Sequence, residues 1–506
     1  MPLRGLKMFE IRDIDLHGRT GRLFTQSGVI ETPAFFPVVD IHRQEVPLDV
    51  IREVGFNQVI TNAYIYYKRL EREGSQPRDI HEVLGFNGVV MTDSGAYQIL
   101  HYGRHIPVSQ SDIIRFQQRI NSDISVILDI PTGKVSRRQA EMSVKLTLER
   151  AREAIPLLDD KRIWVLPIQG GEYLDLVALS AKKARELGKY GMYGIGSPTV
   201  FLEKYEFSTV LRIVKTAKRY LKEGLPVHLF GAGHPLLIPY AVALGIDTFD
   251  SASYILYARD GRIFTDLGVD RIDRVNRIVC PCNIYGKRSY SSESLLSMSS
   301  EDRTRILATY NLCYIWRTVE ETREHLREGR LWDLLEAYSK HHPRIYEAYL
   351  EVATAQDLLL SSSPRIKGVV RGVRVYDATS ILNPKIRYYI NKIYKYNFKI
   401  NNRRKVVLRP LPRNPEECRN NDENVYVLYY DPILLIVPEE LCGVYPTIHI
   451  HAPENTINQL TTSDVIEKIR QLLAKILDPS IQVEVEASGR LGYEIENYIK
   501  TVKNSR

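Results

Sequence analysis

Short apolar, β-branched runs recur through the first half of this chain, each followed by a longer stretch in which apolar residues return every three or four positions. The runs are QVITNAYIYY, VVMTDSGAYQ, DISVILDIP, RIWVLPIQGG, MYGIGSP, PVHLFGAGH and TFDSASY. Between them lie segments of helical period such as SQSDIIRFQQRI and LDLVALSAKKAREL. That alternation predicts βα units and a parallel sheet. Every run gives way on its C-terminal side to a polar or glycine-rich tip: Asn62, Asp93, Asp129, Gln169, Gly194 to Ser197, His234 and Asp250. One such tip says little. Seven in order, spaced by helices, predict a TIM-like (β/α)8 barrel, which gathers its strand tips on the face where such barrels carry active sites. A doubly wound open sheet is the alternative, but no GxGxxG opens the first unit.

From about residue 287 to 362 the pattern turns helical. SEDRTRILATYNLCYIW and TVEETREHLREGRLWDLLEAYSKHH read as two helices packed on the barrel, the second opened by a capping box of Thr318 and Glu321. SSSPRIKG then reads as a linker. The expected division is a barrel domain over 1–362 and one or two small α+β domains over 363–506, the latter carrying the strand-like NVYVLYY and ILLIVP. There is no internal repeat and no low-complexity tract.

Composition fits this picture. Of 506 residues, 44% are hydrophobic and 26% charged, the profile of a soluble globular protein with room for two or three domains. No apolar run is long enough to span a bilayer, and MPLRGLKMFEIRD lacks the apolar core of a signal peptide, so the expected location is the cytoplasm, with no membrane partner. Five cysteines do not predict a disulfide framework. A net charge of +8 permits a polyanionic partner.

Candidate chemistry sits at the strand tips. Asp93 and Asp250 end two different runs, and two carboxylates facing one cavity can divide labour, one attacking or stabilising a cationic carbon and the other moving protons. Carboxylates that merely cap helices or solvate a barrel rim are the competing reading. Gln169, Gly170 and Gly171, and Gly194 to Ser197, offer an amide and approachable backbone N–H groups suited to a flat, hydrogen-bonding ligand, although each alone reads equally as a turn.

MTDSGAYQ, the QGG after LPI, YGIGSP, GAGHP and FDSASYILYARDGR stand in the order and approximate spacing of the tRNA-guanine transglycosylases. The resemblance is dense over residues 8 to 350 and looser beyond, and it is greatest to the archaeal branch, which acts at guanine 15 of the D-arm. It implies exchange of guanine for 7-cyano-7-deazaguanine (preQ0), a precursor of archaeosine, with no organic cofactor and the phosphate backbone left uncut. It also implies Asp250 as the nucleophile on C1′ of the ribose and Asp93 as the group handling protons, with the exchanged assignment as the alternative. Asp129 would accept from the donor edge of a guanine-like ring, and Ser94, Gln169 and Gly170 would face its other edge. Gly194 and Gly196 would leave room for the base, and Tyr97 would stack on it. The target base must leave its stack to reach such a pocket.

Two departures stand out. The resembled family carries a zinc site of three cysteines and a histidine; here Cys280 and Cys282 fill two positions, but Tyr285 and Tyr310 stand at the others. Structural zinc takes four ligands, so this incomplete set argues against a bound metal in region 280–313. Cys313, one turn beyond Tyr310, and then His341 and His342, are the remaining candidate ligands. The family's zinc segment helps build a homodimer, which the resemblance also implies. The second departure is the C-terminal region, where no PUA domain is recognisable; a separate PUA-domain protein is one way to supply it. Within 363–506, Lys385, Arg387, Lys392, Lys395, Lys399, Arg403, Arg404, Lys405 and Arg409 are interleaved with Tyr388, Tyr389, Tyr394, Tyr396 and Phe398. Such a stretch can neutralise phosphates and stack on unpaired bases, or be a solvated surface with its rings turned inward. A non-catalytic tRNA-binding subunit, or a paralogue acting later in the archaeosine pathway, are the alternative functions. The presence of both Asp93 and Asp250 weighs against each.

Overall fold

The seven apolar runs all become strands, and an eighth joins them. In the computed structural model, which describes residues 8–96, 108–196, 198–400, 403–420, 422–478 and 480–504, the chain divides into two units, Met1–Ser362 and Ser363–Arg506. The first unit opens with three antiparallel strands, β1 (Phe9–Asp15), β2 (Gly18–Phe24) and β3 (Val29–Thr32). There follow β4 (Ala34–Pro37), β5 (Gln58–Asn62), β6 (Val89–Asp93), β7 (Ile124–Val126), β8 (Ile163–Ile168), β9 (Met192–Ile195), β10 (Val227–Leu229) and β11 (Thr248–Ser251). These eight form one parallel sheet, in the order β4, β11, β10, β9, β8, β7, β6, β5. A parallel bridge between Val38 and Ile60, with Val39 N–H donating to the Ile60 carbonyl at 2.8 Å, joins first strand to last and closes the barrel.

The barrel is filled, not hollow. Phe36, Ile60, Met91, Val126, Val165 and Met192 pack together inside it, and Phe9, Leu23 and Ile30 of the N-terminal sheet join the same cluster and plug the N-terminal end. An ion pair reinforces that plug: Arg19 on β2 donates to both oxygens of buried Asp247 at 2.8 and 2.9 Å, and Asp247 also accepts from Val227 N–H at 2.8 Å.

Past β11 come the hairpins β12 (Arg262–Thr265) with β13 (Gly268–Arg271), and β14 (Arg277–Ile284) with β15 (Lys287–Ser291). The expected pair of helices is instead one continuous helix, Ser300–Glu328, capped by Ser299 and ended at left-handed Gly329, with a short helix Leu331–Tyr338 beyond it. Thr318 caps nothing, because its hydroxyl turns back to the Tyr314 carbonyl one turn earlier at 3.1 Å. Serine or threonine inside a helix often makes this bond, so an S/T-x-x-E pattern does not by itself mark a helix start.

The second unit has strands β16 (Val373–Arg374), β17 (Lys405–Pro410), β18 (Val425–Asp431), β19 (Leu435–Pro438), β20 (Ile450–His451) and β21 (Gln482–Val485). Four of them form a mixed sheet in the order β19, β18, β17, β21. Its core draws Ile386, Tyr389 and Ile390 from helix Pro384–Ile393, and Ile469, Leu472 and Leu473 from helix Ser463–Ile476.

Candidate active site

The C-terminal ends of the barrel strands open into a cavity of about 680 Å³. Asp93, Asp129, Gln169, Gly196 and Asp250 line it together with Asn62, Ala96, Val126, Phe230, Gly231 and His234. Parallel register brings these distant positions together: Asn62 pairs with Asp93 across β5 and β6, and Asp250 with Phe36 across β11 and β4. Ser94, Gly170 and Gly194 lie beneath the wall rather than on it, all buried. Tyr97 falls outside the described residues.

Asp93 ends β6. Its carboxyl is enclosed by the cavity, and the Asn62 amide approaches it at 3.4 Å. Burial, then the charges of Asp129 and Asp250, push its pKa up to about 7. Gly95 makes the turn that follows, with φ at +91°; a Cβ there would meet Tyr64 Cβ at 2.3 Å, so no larger residue fits. Ser94 Oγ is buried and has no hydrogen-bond partner among the described residues.

Asp129 lies beyond the end of β7. Burial raises its pKa to about 6, opposed chiefly by a hydrogen bond from Gln169 Nε2 to Oδ2 at 2.5 Å. Gln169 is itself held, its Oε1 accepting from Thr132 N–H at 3.0 Å and from Thr132 Oγ1 at 3.1 Å. Its amide therefore orients Asp129 and does not swing freely. Arg150 is near but donates to the Asp129 backbone carbonyl, at 3.0 Å.

Asp250 on β11 accepts two hydrogen bonds on one oxygen, Oδ1: from the His228 ring through Nε2 at 2.9 Å and from Gly231 N–H at 2.8 Å. His228, bonded to Asp250, and Phe230, on the cavity wall, are candidate positions that sequence reasoning passed over. Both lie in the run PVHLFGAGH, where a histidine between apolar residues reads as core and a phenylalanine as packing. Phe230 turns its ring to the cavity above Gly194, whose absent Cβ would lie 2.4 Å from it.

The zinc-site candidates do not assemble a metal site. Cys282 is bonded to Cys313, with Cα atoms 5.8 Å apart, tying β14 to helix Ser300–Glu328. Cys280 is a buried free thiol, its pKa pushed up to about 11 by burial. Tyr285 sits exposed beside the β14–β15 turn, and the buried Tyr310 hydroxyl donates to the Phe264 carbonyl at 3.0 Å. Among the described residues no group of three or more His, Cys, Asp or Glu could hold a metal ion. Of the incomplete pair expected at the zinc positions, Cys280 is a free thiol and Cys282 one half of a disulfide. The expectation of no disulfides is overturned, since Cys418 pairs with Cys442 in the second unit.

The basic stretch of the second unit is partly spent on the fold. Lys405 pairs with Glu484, Arg409 with Glu486 at 2.8 Å, and Arg403 with Glu439 at 3.4 Å. Tyr389 is buried with its hydroxyl on the Ile436 carbonyl, and Tyr394, Tyr396 and Phe398 pack against the core, so these rings turn inward. Lys392, Lys395 and Arg404 remain exposed.

The family model for queuine tRNA-ribosyltransferase matches residues 15–344. A tRNA-guanine(15) transglycosylase of Aeropyrum pernix is 47% identical over 96% of this chain and 96% of its own length. Proteins of the same name from Sulfolobus acidocaldarius and Saccharolobus solfataricus are 39% and 38% identical, over 92% and 97% of this chain and 93% and 99% of their own. No helix among the described residues is long and apolar enough to cross a membrane.

Proposed function

This chain belongs to the queuine tRNA-ribosyltransferase family, and from that premise we propose that it exchanges guanine 15 in the D-arm of tRNA for preQ0 through a covalent ribosyl-enzyme intermediate. The observation that carries the mechanism is the sharing of one cavity by three carboxylates, of which Asp93 is poised near neutrality.

In the first half-reaction an Asp250 oxygen attacks C1′ of the ribose, and the bond from C1′ to guanine N9 breaks. The electron pair leaves with the base, and protonated Asp93 supplies the proton that makes guanine a neutral leaving group. In the second half, preQ0 enters the same pocket and ionised Asp93 takes its N9 proton. N9 then attacks C1′, and the ester to Asp250 breaks and restores the carboxylate. One proton is given and one taken back, so a group with pKa near 7 suits both halves. Asp129, ionised above about pH 6 and oriented by Gln169, accepts from the N1–H and 2-amino group that guanine and preQ0 share. Phe230 offers an aromatic face to the base. The partner in this reading is folded tRNA and the location the cytoplasm, with exposed Lys392, Lys395 and Arg404 as the phosphate contacts of the second unit and Lys385 and Arg387 beside them. A homodimer through the disulfide-bearing hairpin, which exposes Val279 and Tyr285, completes the reading.

The test is incorporation of labelled preQ0 into a tRNA transcript by the purified chain alone. Incorporation, with a denaturation-resistant tRNA adduct mapped to Asp250, is the expected result. Tight tRNA binding with no incorporation would replace this reading with that of a binding subunit, and activity restored by a PUA-domain protein would show that the second unit is insufficient.

A further inference from the structure

We infer that His228 is a positioning residue for the nucleophile: with the Gly231 N–H it holds one oxygen of Asp250 and leaves the other to attack. The inference rests on Asp250 as the attacking carboxylate.

Strand register supplies the first part of the argument. His228 pairs with Thr248 across β10 and β11, and alternate residues of a strand share a face, so Thr248 and Asp250 both turn toward the His228 ring. The ring bridges them, with Nδ1 2.9 Å from Thr248 Oγ1 and Nε2 2.9 Å from Asp250 Oδ1. Its side chain is fully buried. Phe230 meets it edge-on at 4.5 Å and Phe36 at 6.1 Å, so it cannot rotate without displacing two aromatic neighbours.

Hydrogen-bond chemistry supplies the second part. An ionised carboxylate only accepts, so Nε2 carries the ring proton, and Nδ1 then accepts from the Thr248 hydroxyl. Thr248 thus selects the tautomer. Gly231 donates to the same Oδ1 at 2.8 Å, from a backbone φ of +66° that residues other than glycine rarely adopt. Among the described residues Oδ2 receives no hydrogen bond. Two donors on Oδ1 fix the plane of the carboxylate and leave Oδ2 as the oxygen that bonds to C1′. When the ester breaks in the second half-reaction, the same donors meet the charge returning to the carboxylate. Fixed donors of this kind need no reorganisation as charge develops.

The experiment uses the full chain under single-turnover conditions, measuring ribosyl-ester formation, tRNA affinity and thermal unfolding for His228→Phe, His228→Gln and Thr248→Val. His228→Phe keeps the packing and removes both hydrogen bonds. It is expected to slow ester formation by roughly 100-fold or more, with tRNA affinity within about threefold of the parent. His228→Gln keeps an N–H donor and is expected to recover most of that loss. Thr248→Val is expected to slow the step by about tenfold, because the tautomer is no longer selected. A folded His228→Phe protein that forms the ester within about threefold of the parent rate would overturn the inference. So would a folded His228→Gln protein no faster than His228→Phe. Peptide mapping of the parent adduct separates this outcome from failure of the underlying reading, since an adduct on Asp93 would remove Asp250 as nucleophile whatever the His228 variants do.

Discussion

Buried carboxylates stand at both ends of the barrel, and their partners differ. At the N-terminal end Asp247 is bonded twice by the Arg19 guanidinium and once by Val227 N–H. Asp123 accepts from Ser27 N–H and Val90 N–H, each at 2.9 Å, with His81 Nε2 at 3.3 Å. At the C-terminal mouth Asp93, Asp129 and Asp250 are held by amides, an imidazole and backbone N–H groups, and among the described residues no arginine or lysine side chain bonds their carboxylates. The first pair fastens the plug and the strand starts. The second set is buried in a cavity without a bonded cation; burial raises the pKa of Asp93 and Asp129, the charges of Asp129 and Asp250 add to the rise at Asp93, and the carboxylate oxygens are left to a ligand.

The sharpest test of this contrast exchanges one carboxylate at each end. Asp250→Asn should abolish preQ0 incorporation, by roughly 1,000-fold or more, while the melting temperature stays at or above that of the parent. Arg19→Met should do the reverse. It leaves Asp247 buried without its cation, a loss of about 3–5 kcal/mol, while incorporation per folded molecule stays within about threefold. Unfolding curves and initial rates on both variants decide it; a destabilised Asp250→Asn, or an inactive but fully stable Arg19→Met, would erase the distinction between the two ends.

That distinction was partly legible in the sequence. Asp93, Asp129 and Asp250 follow their apolar runs, whereas Asp123 and Asp247 precede theirs, and chain direction alone sorts mouth from plug once the strands are parallel. The eighth strand, β4, was hidden because its residues AFFP follow Pro33 and end on Pro37, prolines that read as loop punctuation. His228 was hidden for a different reason: its role depends on cross-strand register with Thr248, a relation between positions twenty residues apart that no local pattern carries. The cysteine pairing was hidden likewise, since spacing does not fix connectivity. The inward turn of Tyr389 and Tyr396 was one of two readings of the basic stretch, and only packing chose between them.

Asp129→Asn gives a finer comparison within the mouth. The variant keeps the shape and loses the charged acceptor, so the KM for preQ0 should rise by about 10- to 100-fold, the usual worth of a hydrogen bond to a charged group. The turnover number with saturating base should fall less. Equal losses in both would make Asp129 part of the proton path rather than of base recognition.

The smallest expected effect is also the one that isolates electrostatics from chemistry. Burial, with the neighbouring charges of Asp129 and Asp250, holds the Asp93 pKa near 7, against 3.8 for an ordinary aspartate. Between those values the unfolded chain gives up this proton and the folded protein keeps it. Stability contributed by the protonated folded form is therefore complete below about pH 4, falls as pH rises toward 7, and is level above that. Asp93→Asn cannot ionise and escapes the decline. Its melting temperature should match the parent near pH 4, exceed it by a few degrees at pH 7, and hold that margin at pH 8. The same substitution at Asp247, where Arg19 compensates the charge, should instead destabilise the protein throughout this range. A margin for Asp93→Asn that is constant with pH, or larger at pH 5 than at pH 8, would mean that the mouth carboxylates are as well compensated as those at the plug.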